Sequence, residues 1–315
     1  MTKKFCLFAL VLFVASCALA QSAEPVIHGT KVYKPGTEAP PATLIYYGGG
    51  PVMSGSTNVY VIYYGKWTAK SKGIINGYLS HLGGSHPYKV NTTYSDTTAA
   101  HVQNVVNYNP ATNSITDNYS MGKSLTDAKV QTLISNAIAA SKLPNDQTNG
   151  VYFVLTAPDV TETAPGLGQF CVQYCGYHSP STSIVSGETI KYSFVGNPAQ
   201  CPTGCDGNIA VYGDTTTPNG DVGGDGTISI MFHELSETVS DPNVTLSNGA
   251  WGDLVTGESG DMCNFVYGTT KIAPDGAHFN EVIHNVRYLV QQMFKVPSTI
   301  KGVGYYSGVC VTALP

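Results

Sequence analysis

Cys171, Cys175, Cys201, Cys205, Cys263 and Cys310 set the tightest limit on how this chain can fold. They remain from eight cysteines once the first 20 residues are set aside. Those residues run Lys3-Lys4, then an apolar FCLFALVLFVA, then Ala18-Leu19-Ala20, the charged, apolar and cleavable order of a secretory signal peptide. Cleavage after Ala20 is expected, giving a signal peptide over residues 1–20; a lipoprotein-type site at Cys17 is the lesser alternative. The apolar run is short for a membrane span and no later stretch is apolar enough, so no transmembrane segment is expected. An even set of cysteines in an oxidising compartment reads as disulfides, with the pairing left open by the spacing. The competing reading is a zinc site built from Cys171-x3-Cys175 and Cys201-x3-Cys205.

Charge narrows the partners. Only 12% of the residues are charged and Arg287 is the sole arginine. Loss of Lys3 and Lys4 would take the net charge from -5 to about -7, a poor match for nucleic acid or anionic lipid. A secreted chain of this kind is expected to meet an extracellular partner, a peptide among them. Sequons at Asn91, Asn118 and Asn243 would permit glycosylation in a eukaryotic host.

Periodicity gives a coarse order of elements. Residues 21–50, rich in Pro, Gly and Thr, read as an extended N-terminal arm, and residues 51–315 as one domain. NVYVIYYG (58–65), HVQNVVNY (101–108), GVYFVLTA (150–157) and TIKYSFVG (189–196) read as strands. Residues 70–82, 124–142, 227–239 and 281–294 read as helices. Val130, Leu133, Ile134, Ala137 and Ile138 share the apolar face of the second helix, and Asp241-Pro242 stops the third. This order suits an α/β fold: a single disulfide-stabilised domain with a mixed β-sheet and packed helices.

The chemistry concentrates in MFHELSETVSDP, residues 231–242. It begins like the zinc-protease helix H-E-x-x-H, but Glu237 stands where the second histidine belongs. Residues four apart share a helix face, so His233 and Glu237 can point at one ion. Glu234, roughly 100° further round, occupies the place of the base that takes a proton from metal-bound water. Zinc accepts carboxylate as well as imidazole, while the extra carboxylate opens the site to calcium or manganese. Further ligands are expected from the Gly-rich segment 249–263, which carries Asp253, Glu258 and Asp261; Asp241 lies just past the helix end. Glu258-x-x-Asp261 has the shape of the downstream acidic pair in zinc proteases whose third ligand is glutamate. The plain alternative is an amphipathic helix with both glutamates on a solvated face. Asn219–Gly226 resembles a calcium loop but, counted from Asp221, lacks the ligands of an EF-hand, and reads as the turn that launches the helix, with Asp225 near its positive end. His178, in CGYHS, reads as a structural loop histidine, with a ligand role beside the cysteines as the alternative. There is no phosphate-binding Gly-rich loop and no G-x-S-x-G elbow.

Several segments in this order are distinctive: YYGGGPVMSGSTNVYVIYYGKW, GVYFVLTAPDV, FCVQYCGYHS, YSFVGNPAQCPTGC, PNGDVGGDGTISIMFHELSETVSDP and GESGDMCNFVYG. With them the chain resembles the EXORDIUM and phosphate-induced protein family, secreted proteins associated with plant cell walls and with growth under limited carbon or phosphate. The resemblance implies an extracellular location and a domain over 51–315, and brings no settled enzymatic activity. Two functions are therefore expected in competition. One is a metal-dependent, peptidase-like hydrolase on a zincin-like core, with Glu234 catalytic and His233, Glu237, Glu258 and Asp261 holding zinc, or calcium as the alternative. The other is a non-catalytic matrix or growth-signalling protein with a structural or degenerate metal site. Sugar binding through exposed tyrosines is a third, lesser expectation.

Overall fold

Runs of β-branched and aromatic residues without polar alternation belong in strands covered on both faces. TNVYVIYY and GVYFVLT obey this rule and form the centre of the molecule together with ETIKYSFV, where Lys191 and Ser193 alternate with the apolar residues yet are buried too. The structure is a computed structural model and describes residues 27, 29–36, 43–244, 249–252 and 257–315. The leader expected at 1–20, parts of the arm and Asp253 lie outside the described residues.

In chain order the principal elements are β1 (Thr43–Tyr46), β2 (Thr57–Tyr64), α1 (Ala69–Ser80), β3 (Val106–Asn107), β4 (Ser114–Asp117), α2 (Asp127–Ala139), β5 (Gly150–Thr156), β6 (Gly176–Val185), β7 (Glu188–Val195), α3 (Val222–Ser240) and β8 (Trp251–Gly252). The main sheet is mixed. β3 and β4 pair parallel with one side of β2, β2 pairs parallel with β5, and β5 with β7. β6 closes the edge as the antiparallel partner of β7.

Successive side chains of a strand face opposite ways, and β6 uses this to join two helices. Tyr177 donates to Asp127 at the start of α2 (3.0 Å), while its neighbour His178 meets Glu234 of α3 (3.1 Å). α2 and α3 therefore cover opposite faces, and α1 packs against α3. Caps begin all three helices: Thr68, Thr126 and Asp221 accept from the backbone N–H groups of Ser71, Lys129 and Gly224. The molecule is a single mixed α/β domain. No helix among the described residues is long and apolar enough to cross a membrane.

The cysteines are paired 171–201, 175–205 and 263–310, which removes the cysteine-zinc alternative. Two other expectations, both of secondary structure, are corrected. The helix expected over 281–294 is a hairpin, Glu281–Ile283 with Val286–Tyr288, followed by a strand at Met293–Lys295. His284 and Asn285 take left-handed φ of 48° and 63°, a two-residue turn that matches strand twist, and β-branched neighbours favour the extended state. The strand expected over 101–108 shrinks to Val106–Asn107, since polar residues interrupt the run. The extended arm contains β1, which pairs with β8 and with a strand at Gly304–Ser307 and buries Leu44 and Tyr46. Asn91, the first sequon, is fully buried and donates to Ser236 Oγ, so a folded chain does not offer it to a glycan.

Candidate metal centre

α3 is an unusual helix for its sequence. Residues from Gly223 to Ser240 are all buried, including His233, Glu234 and Glu237 at 0% exposure. The solvated-face reading of the glutamates is thereby excluded. Small residues make this burial attainable: a Cβ on Gly224 would lie 3.1 Å from the backbone of Ser71, so α1 can approach closely only because it is glycine.

Buried carboxylates need compensation, and the compensation defines two groups. In the first, His233 Nε2 lies 3.0 Å from Glu237 Oε1 and 3.6 Å from Asp261 Oδ1. Its Nδ1 lies 3.1 Å from Gln291 Oε1, and Gln291 Nε2 donates to Gly260 O at 3.0 Å. Because that amide group is oriented by Gly260, Nδ1 must be the donor and Nε2 is turned toward the carboxylates. Glu237 Oε1 also accepts from the backbone N–H groups of Gly260 and Asp261, both at 3.0 Å.

The second group forms around His178. Its Nδ1 meets Glu234 Oε2 at 3.1 Å and Glu237 Oε2 at 3.5 Å; its Nε2 lies 3.5 Å from Glu258 Oε2. Glu234 Oε1 accepts from both the backbone N–H (3.0 Å) and the hydroxyl (2.5 Å) of Thr30. In each group one atom from each of three residues, His178, Glu237 and Glu258 or His233, Glu237 and Asp261, lies within 4.8 Å of the others.

The structure thus places His233, Glu234, Glu237, Glu258 and Asp261 at one centre; Asp253 is not described. His233, Glu237 and Asp261 come together, and Glu258 joins Glu237 from the other side. Glu234 is beside them, engaged with Thr30 and His178. His178 is the residue that sequence reasoning placed wrongly: it is in β6, not in a loop, and no spacing to the helix marks it. Thr30 and Gln291 were missed altogether, being neutral residues far from the motif in the chain.

A family model for the phosphate-induced protein 1 conserved region matches residues 45–299, a span that carries both histidines and all the carboxylates of the centre but not Thr30. The chain belongs to the phosphate-induced protein 1 family. Among relatives, Protein EXORDIUM-like 3 of Arabidopsis thaliana is 33% identical over 237 residues, covering 70% of this chain and 68% of that protein. Protein EXORDIUM of the same plant is 30% identical over 250 residues, 71% of this chain and 74% of its own length. Protein PHOSPHATE-INDUCED 1 of Nicotiana tabacum is 29% identical over 226 residues, covering 65% and 67%. No solved structure matches the chain.

In this phosphate-induced protein 1 family member the centre is strongly acidic. Glu234, Glu237, Asp241, Glu258 and Asp261 face two imidazoles, with Lys31 acting on Asp261 from the exposed rim. Burial pulls the His233 pKa down, but Glu237, Glu234 and Asp261 outweigh it and hold it up at about 10. His178 is likewise held high by Glu258, Glu234 and Glu237 against burial. Burial drives Glu258 well above the carboxylate range, and raises Asp261 to about 7 and Asp241 to about 6. Glu237 goes the other way: burial would raise it, but the two histidines and the Asp261 amide hold it low. The centre accordingly has a strong demand for positive charge, met by protons or by a cation.

Proposed function

We propose that this is an extracellular, cell-wall or matrix-associated protein of EXORDIUM type whose buried His–carboxylate centre binds a divalent cation as a structural clamp. One observation carries the reading: His178 Nε2, His233 Nε2, Glu237 Oε2 and Asp261 Oδ1 are buried and make no hydrogen bond. Buried polar atoms are normally satisfied, and an ion seated among these ligand atoms would satisfy them. These residues fit a metal. A mixed imidazole and carboxylate donor set suits zinc or manganese, whereas calcium takes oxygen ligands. The cation would tie α3 and β6 to segment 257–263 from the middle of the molecule. Three disulfides and the leader-like N-terminus support the extracellular location. A matrix or cell-wall component, or an extracellular peptide, is the partner that fits this location.

The test is thermal unfolding of the purified full chain before and after chelation, then with zinc or manganese restored. Saturation a thousandfold above Kd contributes about 4 kcal/mol, so chelation should lower Tm by several degrees and the returned metal should recover it. An unchanged Tm on a chain shown to be metal-free would remove the reading.

A second reading is favoured by the helix itself: His233, Glu234 and Glu237 lie on a long helix packed against a mixed sheet, as a zincin-like hydrolase core requires. There Glu234 would be the base. Its present bonds to Thr30 and His178 suit an orienting role instead, the carboxylate that fixes the ring of a metal-ligating histidine. Peptide-library turnover that vanishes in Glu234→Gln while metal is retained would decide for the hydrolase.

A further inference from the structure

We infer that the centre holds two divalent cations, bridged by Glu237. The inference rests on the cation reading above and goes beyond it in number and arrangement. The ligand atoms fall into two sets of three that share a single residue: His178, Glu237 and Glu258, and His233, Glu237 and Asp261. Glu237 divides its oxygens between them: Oε2 lies 3.5 Å from His178 Nδ1, on the His178 and Glu258 side, and Oε1 lies 3.0 Å from His233 Nε2. A carboxylate with one oxygen toward each set is the natural bridge of a two-metal site, where ions sit roughly 3.5–4 Å apart.

Second contacts prepare both histidines in the same way. Each has Nδ1 committed to a side-chain oxygen, Glu234 Oε2 for His178 and Gln291 Oε1 for His233, at 3.1 Å in both cases. Each leaves Nε2 buried without a hydrogen bond. That arrangement is how metal-binding histidines are oriented, and it occurs once in each set.

Charge agrees with two ions rather than one. Five formal carboxylates converge on the centre, and with neutral imidazoles a single divalent cation leaves most of that charge buried and uncompensated. Two bring it to within one charge of neutrality. The two positions are unequal. The Gly260 and Asp261 amides already occupy Glu237 Oε1, whereas Oε2 has no hydrogen bond. The His178 position should therefore fill first and the His233 position second, with lower affinity.

The experiment is metal content by mass spectrometry on the purified full chain, followed by zinc titration of the apo protein by calorimetry. Two zinc ions per chain are expected, binding in two resolved steps. His178→Ala should halve the content and remove the tighter step; His233→Ala should halve it and remove the weaker one; Glu237→Ala should abolish both. His81→Asn, in the exposed stacked pair of His81 and His284, controls for surface binding and should change nothing. Circular dichroism checks that variants fold, and the wild-type stoichiometry decides the matter even if they do not. One ion per chain would overturn this inference and leave the single-cation reading standing. No ion at all would overturn both. A second ion that survives all of the centre variants but is lost in His81→Asn would assign it to the surface and overturn the pair.

Discussion

Gly260 lies directly against the imidazole of His233: a Cβ on residue 260 would fall 2.6 Å from its Cδ2 and 2.8 Å from its Nε2. The backbone there is helical, with φ -76°, so space rather than conformation demands glycine. Gly260→Ala must push the ring or the segment aside. Overpacking of this kind costs about 1–3 kcal/mol, and on the proposed cation reading the displaced ring should also bind metal more weakly. Denaturant unfolding and metal content measured on the same preparation check both; a variant as stable and as metal-rich as wild type would contradict the geometry.

Gln291 should behave as a positioning residue. Gln291→Leu leaves His233 Nδ1 and Gly260 O without their partner, a cost of about 1–3 kcal/mol for a buried group. Loss of such an outer contact typically weakens metal affinity by about 10–100-fold. Gln291→Glu keeps an acceptor for Nδ1 and should retain more affinity than the leucine variant. Equal zinc affinity in the two variants would deny the tether.

Under the other face of the sheet, Glu162 is fully buried between the hydroxyls of Tyr174 and Tyr177. Burial, with help from Asp127, raises its pKa from 4.5 to about 8 against the lowering effect of the two tyrosines. The folded chain therefore holds this proton more tightly than the unfolded one. Its contribution to stability is greatest below the unfolded value of 4.5, falls as pH rises toward about 8, and is flat beyond. Glu162→Gln should flatten that decline, so the difference in Tm between variant and wild type should move in favour of the variant from pH 5 to pH 8. A constant difference across that range would show that Glu162 titrates normally.

The Cys263–Cys310 bridge closes a span of 47 residues and begins two positions after Asp261. Replacing both cysteines with alanine should cost about 4 kcal/mol by the chain-entropy argument. It should also loosen the segment that carries Glu258 and Asp261. Chemical unfolding of the double variant, with zinc affinity alongside, checks both effects; lost stability with unchanged affinity would separate the bridge from the centre.

The fold's inner strands were legible because burial on both faces writes itself as an unbroken apolar run, as in VYVIYY and VYFVLT. The α2 helix was legible because its apolar stripe keeps the helical period. The C-terminal hairpin was not, since His284-Asn285 looks like a continuing helix unless the left-handed turn is foreseen. At the centre, His233, Glu234 and Glu237 were readable from local spacing, and Glu258 and Asp261 from their nearness in the chain. His178, Thr30 and Gln291 reach the centre only through the sheet order and the packing of β6 on α3, relationships that periodicity does not encode. The burial of the whole helix was equally hidden, because its polar residues are balanced by partners distant in sequence.

Those distances have a consequence for how the molecule is made. Thr30 reaches Glu234 across 204 residues, and Gln291 reaches His233 across 58. Contacts of such separation form late, after the entropy of the loops between them has been overcome. A chain stopped short of residue 291 exposes a helix whose charges have lost a partner and cannot be closed over. Closure of the centre therefore waits on both ends of the chain, on the segment that carries Gln291 and on the arm that carries Thr30.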